Sequence, residues 1–144
     1  MQFMERLKPL GLLLLRIAAG AIFMFHGYPK LKDPAHWFRI FAGYGVPGYF
    51  VYVSGILELF GGGLLILGLF TRGIGLLLAM EMGIVLAHMG FLGATLRTFG
   101  EYELPLLSGA AVLALATTGA GLISIDSFTF ESRRKATKKS KSKD

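Results

Sequence analysis

Arg16, Glu58 and Glu81 each fall inside a long run of Leu, Ile, Ala, Gly and Phe, where a bilayer-crossing helix would have to carry them. Insertion scales put a charge at a helix centre at roughly 2.5–3.5 kcal/mol, so such a residue needs a partner or a function. At about 1.5 Å of rise per residue, Arg16 lies about 10 Å, Glu81 about 12 Å and Glu58 about 16 Å from one membrane edge. The three are therefore expected to meet at one depth. Ser54, Gly55, Gly61 and Gly62 share the helical face of Glu58, and Ala19 and Gly20 flank Arg16, so both faces admit a close neighbour. An Arg16–Glu58 ion pair is the expected structural link. One arginine neutralises one carboxylate; the other, Glu81 or Glu58, then needs a proton or a further donor, which suits it to proton exchange. The same cluster could instead do no more than fix helix register.

A second polar set is expected toward the opposite edge, where His26 ends one apolar run, His88 ends another, and Glu101 and Glu103 open the last. Glu81 and His88 are seven residues apart and stack on one helix face, linking the two sets. His26, Glu81, His88 and Glu103 are thus the candidates for proton exchange or hydrogen bonding to a ligand, with Trp37 beside His26 and His88 as a binding residue. The histidines admit three roles: hydrogen bonding a quinone or similar substrate, ligating a haem, or capping helix ends. Nothing else marks a porphyrin pocket. No ligand-spaced motif marks a metal, no glycine-rich fingerprint marks a flavin or other dinucleotide, and there is neither a phosphate loop nor a nucleophile elbow.

The elements that must position these groups are apolar segments at about 9–27, 49–70, 73–92 and 103–123, each long enough to cross ~30 Å of hydrocarbon as a helix. The chain has 144 residues, 53% hydrophobic and 17% charged, with a mean hydropathy of +0.59. A soluble domain of this size could not bury that surface. The runs are continuous rather than alternating, which argues against a membrane barrel. The fold class read here is an all-α integral membrane four-helix bundle. Its longest connection, 28–48, interleaves aromatic residues with Lys30, Lys32 and Arg39, as suits the headgroup layer, and predicts a short interfacial helix over 35–42. The absence of cysteine excludes a disulfide, a thiolate metal site and a thiol relay within the chain.

Arg6, Lys8, Arg72 and the cations beyond Ser132 fall on one side, against Lys30, Lys32, Arg39 and Arg97 on the other. That bias predicts both termini in the cytoplasm. The membrane domain is read as residues 1–127. Residues 128–144 form a Lys/Ser-rich tail, expected to be disordered and to rest on anionic lipid rather than nucleic acid.

Several segments together resemble the DoxX family of small four-helix membrane proteins. They are Phe25-His26-Gly27-Tyr28-Pro29-Lys30-Leu31, then Gly45-Val46-Pro47, then Glu58-Leu59-Phe60-Gly61-Gly62 running to Thr71-Arg72, and Gly119-Ala120-Gly121-Leu122-Ile123-Ser124-Ile125-Asp126. The resemblance covers about residues 10–127. It implies a four-helix bundle and, for some members, a place in a quinone-linked oxidation system or a membrane redox-defence assembly. Carried over by position, Arg16, His26, Glu58, Arg72, Glu103 and Asp126 would be the family-pattern polar residues. The expected function is an inner-membrane subunit that binds a quinone or lipid within a redox complex. Its expected partners are membrane lipid and other protein subunits or further copies of itself. A non-enzymatic scaffold or a small transporter is the alternative.

Overall fold

The computed structural model describes residues 2–90 and 99–128. Helix α1 is Gln2–Lys32, α2 Pro34–Gly43, α3 Phe50–Leu67, α4 Thr71–His88 and α5 Glu103–Thr118, with one 3-10 turn at Phe99–Glu101 before α5. No strand occurs among the described residues. The protein is all-α. Arg6–Lys32, Phe50–Leu67 and Thr71–His88 are long and apolar enough to cross a bilayer, and Glu103–Thr118 is a shorter apolar helix. The short helix α2 lies where the interfacial helix was expected. Arg97 and all of the tail beyond Phe128 lie outside the described residues.

Two boundaries differ from expectation, and both matter. Helix α1 does not end near residue 27 but runs through Pro29 to Lys32, placing Lys30 on a helix instead of in a headgroup loop. A proline forfeits one backbone hydrogen bond, and here the ladder resumes after it, with the Asp33 N–H donating to the Pro29 carbonyl at 2.9 Å. Helix α5 ends at Thr118 rather than near 123, because Gly119 turns the chain at φ 83. Its 16 residues span about 24 Å. The segment that follows folds under the α3–α4 turn, where Asp126 accepts from the backbone N–H groups of Phe70 (2.9 Å) and Thr71 (3.0 Å). That carboxylate caps the first turn of α4. It also holds Phe70 in the left-handed region, at φ 51.

The bundle is built from two tight antiparallel pairs, α1 with α3 and α4 with α5, which touch each other less. Glycines set both registers. A Cβ at Gly20 would lie 2.5 Å from the Gly62 carbonyl oxygen, and one at Gly27 would lie 2.8 Å from that of Gly55. In the other pair Gly75 sits against Val112 and Ala116, and Gly109 against Met82. Spacing of seven residues keeps these contacts on one face, and the missing side chains let the backbones meet. Gly62→Ala is therefore expected to cost about 1–3 kcal/mol by overpacking. Gly63→Ala, with nothing within 4 Å of its Cβ, should leave the melting temperature in detergent unchanged. Equal melting of the two variants would refute this register.

The register also corrects the expected Arg16–Glu58 pair. Gly20 opposite Gly62 and Gly27 opposite Gly55 place Arg16 level with Ile66, about 12 Å along the bundle from Glu58. Arg16 is buried there, with Asp126 in electrostatic reach, and among the described residues its hydrogen bonds go to backbone carbonyls: its Nε donates to Leu65 (3.1 Å), and its terminal nitrogens to Ile66 (3.2 Å), Ile123 (2.8 Å) and Ala120. Leu65 and Ile66 lie in the last turn of α3, where the helix dipole favours a cation; the Leu65 carbonyl also accepts from the Gly68 N–H at 3.0 Å. Above this end, Phe23, Leu65, Leu78, Val112 and Leu115 form the core. Large apolar side chains such as Phe25, Phe60 and Leu107 point outward, as a lipid-facing surface requires.

Candidate functional site

Toward the end of the bundle away from the α3–α4 turn, the two pairs part around a cavity of about 620 Å³. That is the size of a small-molecule site, and its walls are largely apolar with a few convergent polar groups. All five helices contribute. The roof comes from α2, whose amphipathic face turns Trp37, Ile40 and Phe41 inward.

The polar groups centre on Lys30, which sequence reasoning assigned to the headgroup layer. It is only 6% exposed, and its ammonium donates to Glu58 Oε2 at 2.6 Å and to Ser54 Oγ at 2.7 Å. A helical side chain leans toward its own N-terminus, so Lys30 reaches down a turn to the level of Ser54 and Glu58 on α3. Trp37 and Phe41 lie over the ammonium, with ring centroids 5.6 and 5.8 Å from Nζ. Two rings within ~6 Å of a desolvated cation add a favourable quadrupole contact. Glu58, 3% exposed, thus has its cation, supplied by α1 as expected but by a different residue.

Glu81 enters the cavity from α4. Both of its carboxylate oxygens are buried without a hydrogen-bond partner among the described residues, although Ser54 and Glu58 lie within its electrostatic reach. One ammonium faces two carboxyl groups, so the cluster reaches neutrality with one proton between them. His88 lines the same cavity; its Nδ1–H donates to the Ile84 carbonyl at 2.9 Å, which leaves Nε2 as an acceptor. His26 and Trp37 also line it, so four expected residues share one space: His26, Trp37, Glu81 and His88.

Glu103 does not join them. It is exposed at the start of α5, while Glu101, Leu104 and Ser108 face the cavity. At about 100° per residue, Glu103 points away from the face that carries Leu104 and Ser108. Arg16 and Glu58 belong to different ends of the bundle. Of the remaining family-pattern residues, Arg72 lies against Gly119 and Asp126 caps α4, both beside a second depression of about 730 Å³ at the α3–α4 turn. Among the described residues, no group of three or more His, Asp or Glu is placed to hold a metal ion.

Four apolar helices around a polar-floored cavity define a small multi-pass membrane protein. The DoxX family model matches residues 11–92, and the chain belongs to the DoxX family. It is 33% identical over 132 residues to the Bacillus subtilis (strain 168) protein named "Putative oxidoreductase CatD", covering 91% of this chain and 96% of that one. It is 34% identical over 131 residues to "Inner membrane protein YqjF" of Escherichia coli (strain K12), covering 85% and 95%. A Haemophilus influenzae protein without an assigned role is 33% identical over 138 residues, covering 91% and 99%. No solved structure matches the chain. With these relatives, the chain is a multi-pass inner-membrane protein.

Proposed function

We propose that this protein is a quinone- or lipid-binding subunit of a membrane oxidoreductase complex, and that the cavity is its ligand site. The observation that carries this reading is the Glu81 carboxyl group, buried near Ser54 and the Lys30–Glu58 pair on the floor of an apolar cavity, with neither oxygen hydrogen-bonded among the described residues. A carboxyl group is retained in such a place at a cost, and a ligand oxygen would satisfy it. The name of CatD supports the oxidoreductase assignment.

A bound quinone would supply a couple of two electrons and two protons, which no side chain here provides. The chain's own residues hold and move protons. Glu81 donates from a protonated carboxyl or accepts as a carboxylate, His88 Nε2 accepts, and Lys30 fixes Glu58 while offering its remaining N–H. Trp37 and Phe41 exclude water. Electrons come from a partner protein of different sequence, so the subunit acts within a complex. The cation bias along the sequence supports both termini in the cytoplasm, with the cavity toward the opposite face.

The protein purified in mild detergent is expected to carry a stoichiometric quinone or lipid, identified by absorbance and mass spectrometry. Glu81→Gln with His88→Ala is expected to lose that ligand at least tenfold while eluting as the same folded species. A variant that keeps the ligand, or wild-type protein that yields only bulk lipid together with a retained partner protein, would move the assignment to a scaffold.

A further inference from the structure

We propose that the cavity is loaded sideways from the bilayer through a gap between α3 and α4, so that its ligand is an amphiphile with a hydrogen-bonding head and a long apolar chain lying in that gap. This rests on the reading of the cavity as a ligand site and adds the route and the class of molecule. Near their turn, α3 and α4 touch, with Gly61 against Ile74 and Leu78. Farther along, the facing side chains Val53, Leu77, Met80 and Ile84 line the cavity yet are 53%, 45%, 51% and 57% exposed. A side chain can do both only where the cavity opens outward.

The character of that opening points to hydrocarbon. All four of those side chains are apolar; Leu77 and Met80 lie in the middle of α4, while Val53 is in the first turn of α3 and Ile84 a turn from the end of α4, so the opening runs from mid-helix to the cavity end of the pair. The other sides differ. The α1–α3 seam is shut by Gly20 on Gly62 and Gly27 on Gly55, and the α4–α5 seam by Gly75 and Gly109. The α1–α5 side is also open, since His26, Glu101 and Leu104 line the cavity and are exposed, but it passes an imidazole and a carboxylate, and at the headgroup end α2 lays Trp37 and Phe41 over Lys30. Met80 and Glu81 are adjacent on α4, so a head held by the carboxyl group has its chain directed past Met80 and Ile84 into the gap. A compact polar solute would have no use for such a slot; a chained quinone or a phospholipid would.

Trp37 is the sole tryptophan and lines the cavity, which makes its emission a reporter of occupancy. The test uses the full chain in phosphatidylcholine nanodiscs with two probes: a benzoquinone carrying a decyl chain, and the same ring with a methyl group in its place. Val53→Phe with Ile84→Phe narrows the gap at lipid-facing positions. The expected result is that this pair weakens the decyl probe at least tenfold and leaves the methyl probe within twofold. Didecanoyl phosphatidylglycerol, read as a shift in Trp37 emission, shows the same dependence on the gap if the head is that of a phospholipid. Binding of both quinones unaltered by the variants, or equal loss of both, would overturn the sideways route while leaving the ligand site standing. If no probe perturbs Trp37 in the wild-type protein, the ligand site itself falls and this inference with it.

Discussion

Lys30→Met is expected to destabilise the bundle by about 3–5 kcal/mol, the range for removing one partner of a buried ion pair. The loss is large because Lys30 is the cation for two carboxyl groups, Glu58 at 2.6 Å and Glu81 across the cavity floor. Glu58→Gln is expected to cost a similar amount, since it strands the ammonium. The double variant should recover at least half of the summed loss, because pairs of buried charges contribute little beyond the desolvation they offset. Lys32→Met is the control: that lysine is exposed and faces the Tyr28 ring, 5.8 Å away, so its loss should stay within about 0.5 kcal/mol. Thermal melting in mild detergent, followed by size-exclusion chromatography, reads all four. Additive losses in the double variant would show that Lys30 and Glu58 do not depend on each other.

Much of the fold was legible because the bilayer leaves few alternatives. Continuous apolar runs near 20 residues admit only helices, and the expected spans lie on α1, α3, α4 and α5. Helix ends were less legible, for a physical reason. Hydropathy falls off at His26 and Pro29, but the backbone ladder does not, so α1 continues one turn past the apolar run. That single turn decides the chemistry of the site. It moves Lys30 from the lipid headgroups to the cavity floor, a place composition could not suggest.

Pairing of charges was legible only as a demand, not as an answer. Equal depth measured from the ends of apolar runs placed Arg16 beside Glu58, whereas the true register comes from Gly20 on Gly62 and Gly27 on Gly55. Those glycines stand seven apart in both helices, and the spacing was available in the sequence as a signal for an antiparallel seam. That His26, Glu81 and His88 line one cavity could be expected because polar residues on one face of a spanning helix have few places to point; Trp37 lines it from α2, the short helix between spans. Glu103 was misplaced because one residue along a helix is a rotation of about 100°. The closing segment from Gly119 to Asp126 stood out as a family pattern, but its role needed the fold: it supplies carbonyls to Arg16 and a cap to α4.

Arg16→Met is accordingly expected to act at the far end of the bundle from Lys30. It strips the carbonyls of Leu65, Ile66, Ala120 and Ile123 of a shared donor. A hydrogen bond to a charged group contributes about 1.5–3 kcal/mol, and carbonyls near the surface regain some of that from water. The expected net loss is about 3–5 kcal/mol. Arg16→Lys should recover less than half, because an ammonium cannot spread its donors across two separate backbone segments as a planar guanidinium does. Hydrogen exchange should rise in 119–127 and in the first turn of α4, which Asp126 caps, while binding in the cavity is retained. Arg16→Met with Lys30→Met then separates the two possible pairings. With Arg16 level with Ile66, the two losses should add within about 0.5 kcal/mol, whereas an arginine bonded to Glu58 would share that carboxylate with Lys30 and couple the two variants by 1 kcal/mol or more.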